Sequence, residues 1–84
     1  GHPLLYSAGC TAGGLSWVAG GPPAAQFSCT AKFRYRQPDQ PVRVILLPAE
    51  RCRVIFGERQ RAVTPGQSVV VYESRVCLGG GIIL

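Results

Sequence analysis

The sequence predicts an all-β fold, a small closed antiparallel barrel of about six strands. Helix signals are nearly absent: eleven Gly and seven Pro interrupt the 84 residues, and no long window places apolar side chains at i, i+3, i+4 and i+7. Short apolar or alternating segments recur instead at a spacing of roughly ten residues, with turn residues between them. Closure into a barrel removes the exposed strand edges that a small open sheet would leave.

The first strand signal is a short apolar run at 15–18, and a turn-rich stretch follows it. Residues 26–36 then alternate in polarity, which predicts a strand with one face inside and a wet, cationic face outside. The inward set is Phe27, Cys29, Ala31, Phe33 and Tyr35, and the outward set is Ser28, Thr30, Lys32, Arg34 and Arg36.

Two prolines, Pro38 and Pro41, end this strand because neither can donate a ladder hydrogen bond. Strand signals resume at 42–47 and at 53–56. The tetrad TPGQ at 64–67 has Pro and Gly at its two central positions, which predicts a type II turn.

The segment 68–72 is apolar on both faces, which is typical of a central or barrel strand. The last strand signals, at 75–78 and 82–84, flank three consecutive glycines at 79–81. Because these glycines have no side chains, they permit a bulge or a sharp corner there.

The domain organisation predicted from these signals is a linker over 1–24 that leads into a barrel domain over 25–84. The chain contains no Met and ends in the apolar run GGGIIL. Since chain termini are usually exposed and polar, we expect the sequence to be a piece of a longer protein.

Positive charge is the main functional signal in the composition. Nine Lys and Arg stand against four Asp and Glu, the formal net charge is +5, and eight of the nine cations are Arg. Arg suits bidentate contact with phosphate, so a polyanion is one expected partner and a solvated basic surface is the alternative. No apolar run is long enough to span a membrane, and no signal-peptide pattern is present.

Catalytic and metal-binding patterns are missing from the sequence. The four cysteines are too far apart along the chain for a zinc-binding spacing, so we expect no metal site. An oxidising compartment would allow two disulfides in any of three connectivities, whereas the inward position of Cys29 and the apolar neighbours of Cys77, Val76 and Leu78, favour buried, reduced thiols. His2 is the one histidine, no base is paired with a nucleophile, and no phosphate-binding loop is present, so we expect no catalytic residue in this chain.

Five segments, taken together and in order, resemble the C-terminal part of the bacterial tRNA-specific 2-thiouridylase family. They are HPLLYS at 2–7, LSWV at 15–18, CTAKFRYRQ at 29–37, RAVTPGQSVVVY at 61–72 and CLGGGII at 77–83. The resemblance covers nearly the whole chain.

The resemblance implies a cytoplasmic parent enzyme with three domains, of which this chain is the C-terminal β-barrel, similar to the second domain of translation factors. In that family, ATP activates the wobble uridine of tRNA and a cysteine persulfide, loaded by a sulfur-donor protein, delivers sulfur. The catalytic cysteines belong to the first two domains, and none of the four cysteines here matches them. The resemblance thus implies no cofactor in this chain, ATP in the parent, and three partners: tRNA, the catalytic and central domains, and the sulfur donor.

The cationic face of the 26–36 strand is the candidate tRNA contact implied by the resemblance. Lys32, Arg34, Arg36 and Gln37 are the residues we assign to it, because Arg can both hydrogen-bond phosphates and stack on unpaired bases. The alternative is that these side chains face the parent's other domains. The remaining arginines are expected to be solvated: Arg43, Arg51, Arg53, Arg59, Arg61 and Arg75.

Three functions compete at this point. The leading hypothesis is a noncatalytic barrel that binds and positions tRNA, and its rival is a purely structural domain that packs on the catalytic core without RNA contact. Without the resemblance, a small secreted, disulfide-linked binding module would be a third.

Overall fold

Six antiparallel strands form a closed barrel in the part of the chain that the structure describes, a computed structural model covering residues 6–34, 38–61 and 63–84. The strands are β1 Tyr6–Trp17, β2 Gln26–Lys32, β3 Gln40–Leu47, β4 Arg51–Arg61, β5 Ser68–Glu73 and β6 Val76–Ile83. Their order around the barrel is β1-β4-β3-β2-β5-β6, and β6 pairs back onto β1. The predicted fold class is confirmed.

No helix occurs among these described residues. Accordingly, none that is long and apolar enough to cross a membrane is found in them.

The barrel interior is filled by inward side chains from all six strands, most of them small or β-branched. Val44, Val54 and Val69 are the largest side chains that are almost fully buried. Two edge-to-face aromatic pairs lie at opposite ends of β2. Trp17 packs on Phe27 with ring centroids 6.0 Å apart, and Phe33 packs on Phe56 at 5.2 Å. Because polar and apolar residues alternate along the strands, the inward side chains form one continuous core, as a closed sheet requires.

The expectation of an irregular linker over 1–24 is wrong for half of its length, because β1 occupies Tyr6–Trp17. This strand is rich in Gly and Ala, residues with low intrinsic strand preference, and that composition hid it in the sequence. Within the barrel the small side chains are an advantage: Cys10 and Ala12 point into the narrow interior and are buried. Pairing with β4 and β6 outweighs the weak local preference.

Glycine lies at two of the backbone irregularities that shape the barrel. Gly14, with φ of 58°, lies at a register shift in the β1–β6 pair. Gly66, with φ of 92°, occupies the predicted turn, where the Gln67 N–H donates to the Thr64 carbonyl at 3.0 Å. In the β5–β6 pair the register skips Leu78. The turn at 64–67 and the bulge near 79–81 are thus both confirmed.

Two further boundaries differ from the sequence prediction. The strand predicted over 26–36 ends at Lys32, although the next residue, Phe33, keeps the inward position that alternation predicts and is 5% exposed. The segment predicted at 53–56 is the centre of a much longer strand, Arg51–Arg61.

Candidate nucleic-acid interface

A groove crosses the outer surface of the barrel where β2 lies beside β5, and we name it the β2–β5 groove. Its volume is about 370 Å³, and it is lined by Lys32, Phe33, Arg34, Ser68, Val70 and Tyr72. In the strand pairing, Thr30 lies opposite Tyr72 and Lys32 opposite Val70. Because side chains alternate along a strand, burial of Ala31, Val69 and Val71 inside the barrel places the intervening residues on this outer surface.

Lys32 is the cation at the end of β2, and it has a carboxylate neighbour. Its Nζ lies 3.6 Å from Oδ1 of Asp39, and the two side chains are 37% and 38% exposed. Ion pairs this exposed contribute little to stability, because water and salt screen them. Asp39 therefore holds Lys32 loosely, and an incoming anion competes with it for the same ammonium group.

Arg34 also lines the groove, although it lies two residues beyond the end of β2. Its side chain is half-buried. The structure therefore brings together Lys32 and Arg34, two of the four residues assigned from the sequence. Arg36 and Gln37 lie outside the described residues, so their assignment stays a prediction.

Tyr72 is a groove residue that the sequence reasoning missed. The sequence predicts a segment 68–72 that is apolar on both faces, but Tyr72 and Val70 are half-buried side chains on the outer surface. Tyr72 reaches the groove through its pairing with Thr30. The Oγ1 of Thr30 donates to the Tyr72 carbonyl at 3.4 Å, across 42 residues of sequence. Nothing local in the sequence specifies which strand lies beside β2.

The arginines of β3 and β4 lie elsewhere on the barrel. Arg43 donates to Oε1 of Gln26 at 3.1 Å and to Oγ of Ser28 at 3.5 Å. Arg51 donates to the Pro48 carbonyl at 3.2 Å. Both side chains are exposed, as is Arg53, which agrees with the expectation that these cations are solvated.

The four cysteines are free thiols: Cys10 and Cys52 are buried, whereas Cys29 and Cys77, for which the sequence predicted burial, are only half-buried. Burial raises the pKa of the Cys10 thiol from 9.0 to about 11, although the nearby Arg53 guanidinium opposes part of this rise. Burial also raises the pKa of Cys29 to about 11 and raises that of Cys52, which lies opposite Ala12 on β1. A thiol must ionise to attack, so these three remain protonated and unreactive at neutral pH.

A metal site has no support in the described ranges, where no group of three or more His, Cys, Asp or Glu residues is placed to hold an ion. Lys32 and Arg34 are the cations that line the β2–β5 groove.

The fold and the site thus define a closed six-stranded antiparallel barrel with a cationic groove on its outer face. The chain belongs to the aminomethyltransferase beta-barrel domain family, whose model matches residues 7–83.

Its curated relatives are longer proteins that contain this barrel as one part. The chain is 57% identical over 82 residues to the tRNA-specific 2-thiouridylase MnmA of Marinobacter nauticus, a match that covers 98% of this chain and 21% of the relative. It is 58% identical over 82 residues to the protein of the same name from Hahella chejuensis, covering 98% of this chain and 22% of the relative. For the protein from Francisella philomiragia the identity is 55% over 83 residues, with coverage of 99% and 23%.

The chain thus spans about a fifth of the length of these relatives. The resemblance to the C-terminal domain of bacterial tRNA-specific 2-thiouridylases is confirmed.

Proposed function

We propose that this barrel binds and positions tRNA for a 2-thiouridylase without taking part in the sulfur-transfer chemistry itself. The observation that carries the proposal is the β2–β5 groove, in which Lys32 and Arg34 lie on one surface of a chain with a formal net charge of +5. Phosphate neutralisation by Lys and Arg supplies much of the affinity of proteins for nucleic acids. The name of the relatives, tRNA-specific 2-thiouridylase, supports tRNA as that nucleic acid.

The chemistry belongs to other domains of the longer protein in this proposal. Activation of the uridine by ATP and transfer of sulfur from a donor protein would occur there, in the cytoplasm. The raised pKa values of Cys10, Cys29 and Cys52 support this division, because a thiol that stays protonated is unsuited to carrying a persulfide.

A purely structural role is the second candidate, and one surface favours it. Val18 and Val76 are 75% and 64% exposed and lie together beside Pro22 and Pro23 in an open, mostly apolar groove. Exposed apolar patches mark contact surfaces, so this end of the barrel suits packing on another domain. The two roles use different surfaces and can be separated.

The experiment that tests the proposal uses the full-length enzyme that carries this barrel. In the double variant Lys32→Gln, Arg34→Gln we expect the Kd for unmodified tRNA to rise about ten-fold at low salt, because two phosphate contacts are lost. Single-turnover formation of 2-thiouridine at saturating tRNA should stay close to the unmodified rate, since the groove only binds.

The matched control removes two charges from the other side of the barrel. Arg51→Gln, Arg53→Gln changes two exposed residues of β4, a strand separated from β2 by β3, and should leave the Kd nearly unchanged. A groove variant that binds tRNA as tightly as the unmodified enzyme would favour the structural role.

A further inference from the structure

The β2–β5 groove combines charge with an aromatic surface, and this combination narrows the form of RNA that it fits. Tyr72 and Val70 are the outward residues of β5, and Lys32 lies directly opposite Val70. A diagonal neighbour across two antiparallel strands lies about 7–8 Å away, which is the relation of Lys32 to Tyr72. One nucleotide spans a comparable distance between its base and its phosphate.

The backbone of Tyr72 is held in place by the strands on either side of β5. Its residue pairs with Thr30 on one side and with Cys77 on the other, and the Thr30 hydroxyl donates to its carbonyl. Because the strand that carries this half-buried aromatic side chain is paired at both edges, only the side-chain torsions remain to be ordered when a base stacks on the ring.

The β2–β5 groove does not suit a base that is paired and stacked within a double helix. Its volume of about 370 Å³ is at the lower end of the range for small-molecule sites. A base within a helix has both faces stacked on its neighbours and has none to offer to Tyr72. An unpaired base that is splayed out of its strand can stack on an aromatic side chain.

We propose that the β2–β5 groove binds one unpaired nucleotide of RNA, with its base stacked on Tyr72 and its phosphate contacted by Lys32 and Arg34. The inference rests on the proposed function, since it specifies which part of the RNA this cationic surface takes. Asp39 takes part as a competitor, because Lys32 leaves its carboxylate when it turns to the phosphate.

The test uses the 84-residue chain with two RNA probes, a single-stranded ten-nucleotide oligouridylate and a ten-base-pair RNA duplex, each labelled for fluorescence anisotropy. Tyr72→Leu should weaken oligouridylate binding about ten-fold, whereas Tyr72→Phe, which keeps the ring, should bind within about two-fold of the original chain. Neither substitution changes a charge, so the salt dependence should stay the same. Duplex binding should not respond to either one.

A crosslinking measurement on the unsubstituted chain makes the test independent of how the variants fold. Oligouridylate carrying 5-iodouracil, irradiated in the complex and mapped by mass spectrometry, should attach to Tyr72. Attachment exclusively at other residues would overturn the stacking role.

The outcomes separate this inference from the proposed function. If Tyr72→Leu is folded by circular dichroism and binds like the original chain, while Lys32→Gln, Arg34→Gln weakens binding and lowers the salt dependence, the stacking role fails and the cationic interface stands. If none of these substitutions alters RNA binding, both fail. If an acidic peptide displaces the RNA, and all of the variants weaken peptide binding to the same extent, the groove takes a protein segment instead.

Discussion

Gly80 of β6 is a sensitive position for stability, because the backbone of β5 leaves no room for a side chain there. Gly80 pairs with Val70 of β5 and with Ser16 of β1. A Cβ atom built there would lie 2.5 Å from the Val69 carbonyl oxygen. Because that oxygen belongs to a paired backbone, it cannot move away as the end of a flexible side chain would.

The expected cost of Gly80→Ala follows from this contact. Overpacking a well-packed site costs about 1–3 kcal/mol, and the rigid backbone neighbour places Gly80→Ala at the upper end, about 3 kcal/mol. For a domain of 60–100 residues each kcal/mol lowers Tm by roughly 4–8 °C. The variant should therefore melt roughly 12–24 °C lower than the original chain.

The assay is thermal unfolding followed by far-UV circular dichroism, with urea unfolding followed by the fluorescence of Trp17, which packs on Phe27. Gly21→Ala is the matched control, because a Cβ at Gly21 meets nothing within 4 Å, and it should change the free energy of unfolding by less than about 1 kcal/mol. A Tm for Gly80→Ala within about 3 °C of the original would refute the steric account.

Three further predictions follow from single contacts. Asp39→Asn should strengthen tRNA binding about two- to five-fold at low salt, measured by anisotropy, because it removes the carboxylate 3.6 Å from Lys32; unchanged or weaker binding would show that Lys32 does not contact RNA. The raised pKa of Cys10, about 11 against 9.0, means that the folded state holds the thiol proton more tightly than the unfolded state does. The thiol proton therefore stabilises the fold fully below pH 9, and this stabilisation is lost as the pH rises towards 11. The urea midpoint should fall between these pH values less steeply in Cys10→Ala, and an identical fall in both proteins would contradict the burial of this thiol. Phe33→Ala should lower the free energy of unfolding by about 3–5 kcal/mol, since Phe33 is 5% exposed and packs on Phe56; a loss below about 1 kcal/mol in urea unfolding would show that this aromatic pair is not part of the core.

The sequence was sufficient where local chemistry determines the structure. Alternation predicted that Ala31 and Phe33 lie inside, and Pro and Gly at the centre of 64–67 predicted the turn. The interior of the barrel is made of such alternating segments, so the fold class followed from them. Where this local signal was weak, prediction failed: β1 is built from small residues, and only its pairing with β4 and β6 makes it a strand.

The candidate site was predictable in part for the same reason. The outward direction of Lys32 follows from alternation along β2. Tyr72 joins it through a strand pairing that spans 42 residues of sequence, and pairing at such separation depends on how the barrel closes. The carboxylate partner of Lys32, Asp39, depends likewise on the path of the chain after β2.

The measurement that tests the central claim most directly is the salt dependence of tRNA binding by this 84-residue chain. Each phosphate contact contributes about 0.7–0.9 to the slope of log K against log salt. We predict weak, salt-dependent binding. The slope should fall by about 1.5 in the double variant Lys32→Gln, Arg34→Gln and should stay the same in the control variant Arg51→Gln, Arg53→Gln. A folded groove variant whose affinity and slope both equal those of the original chain would contradict the claim that the barrel binds tRNA through the β2–β5 groove.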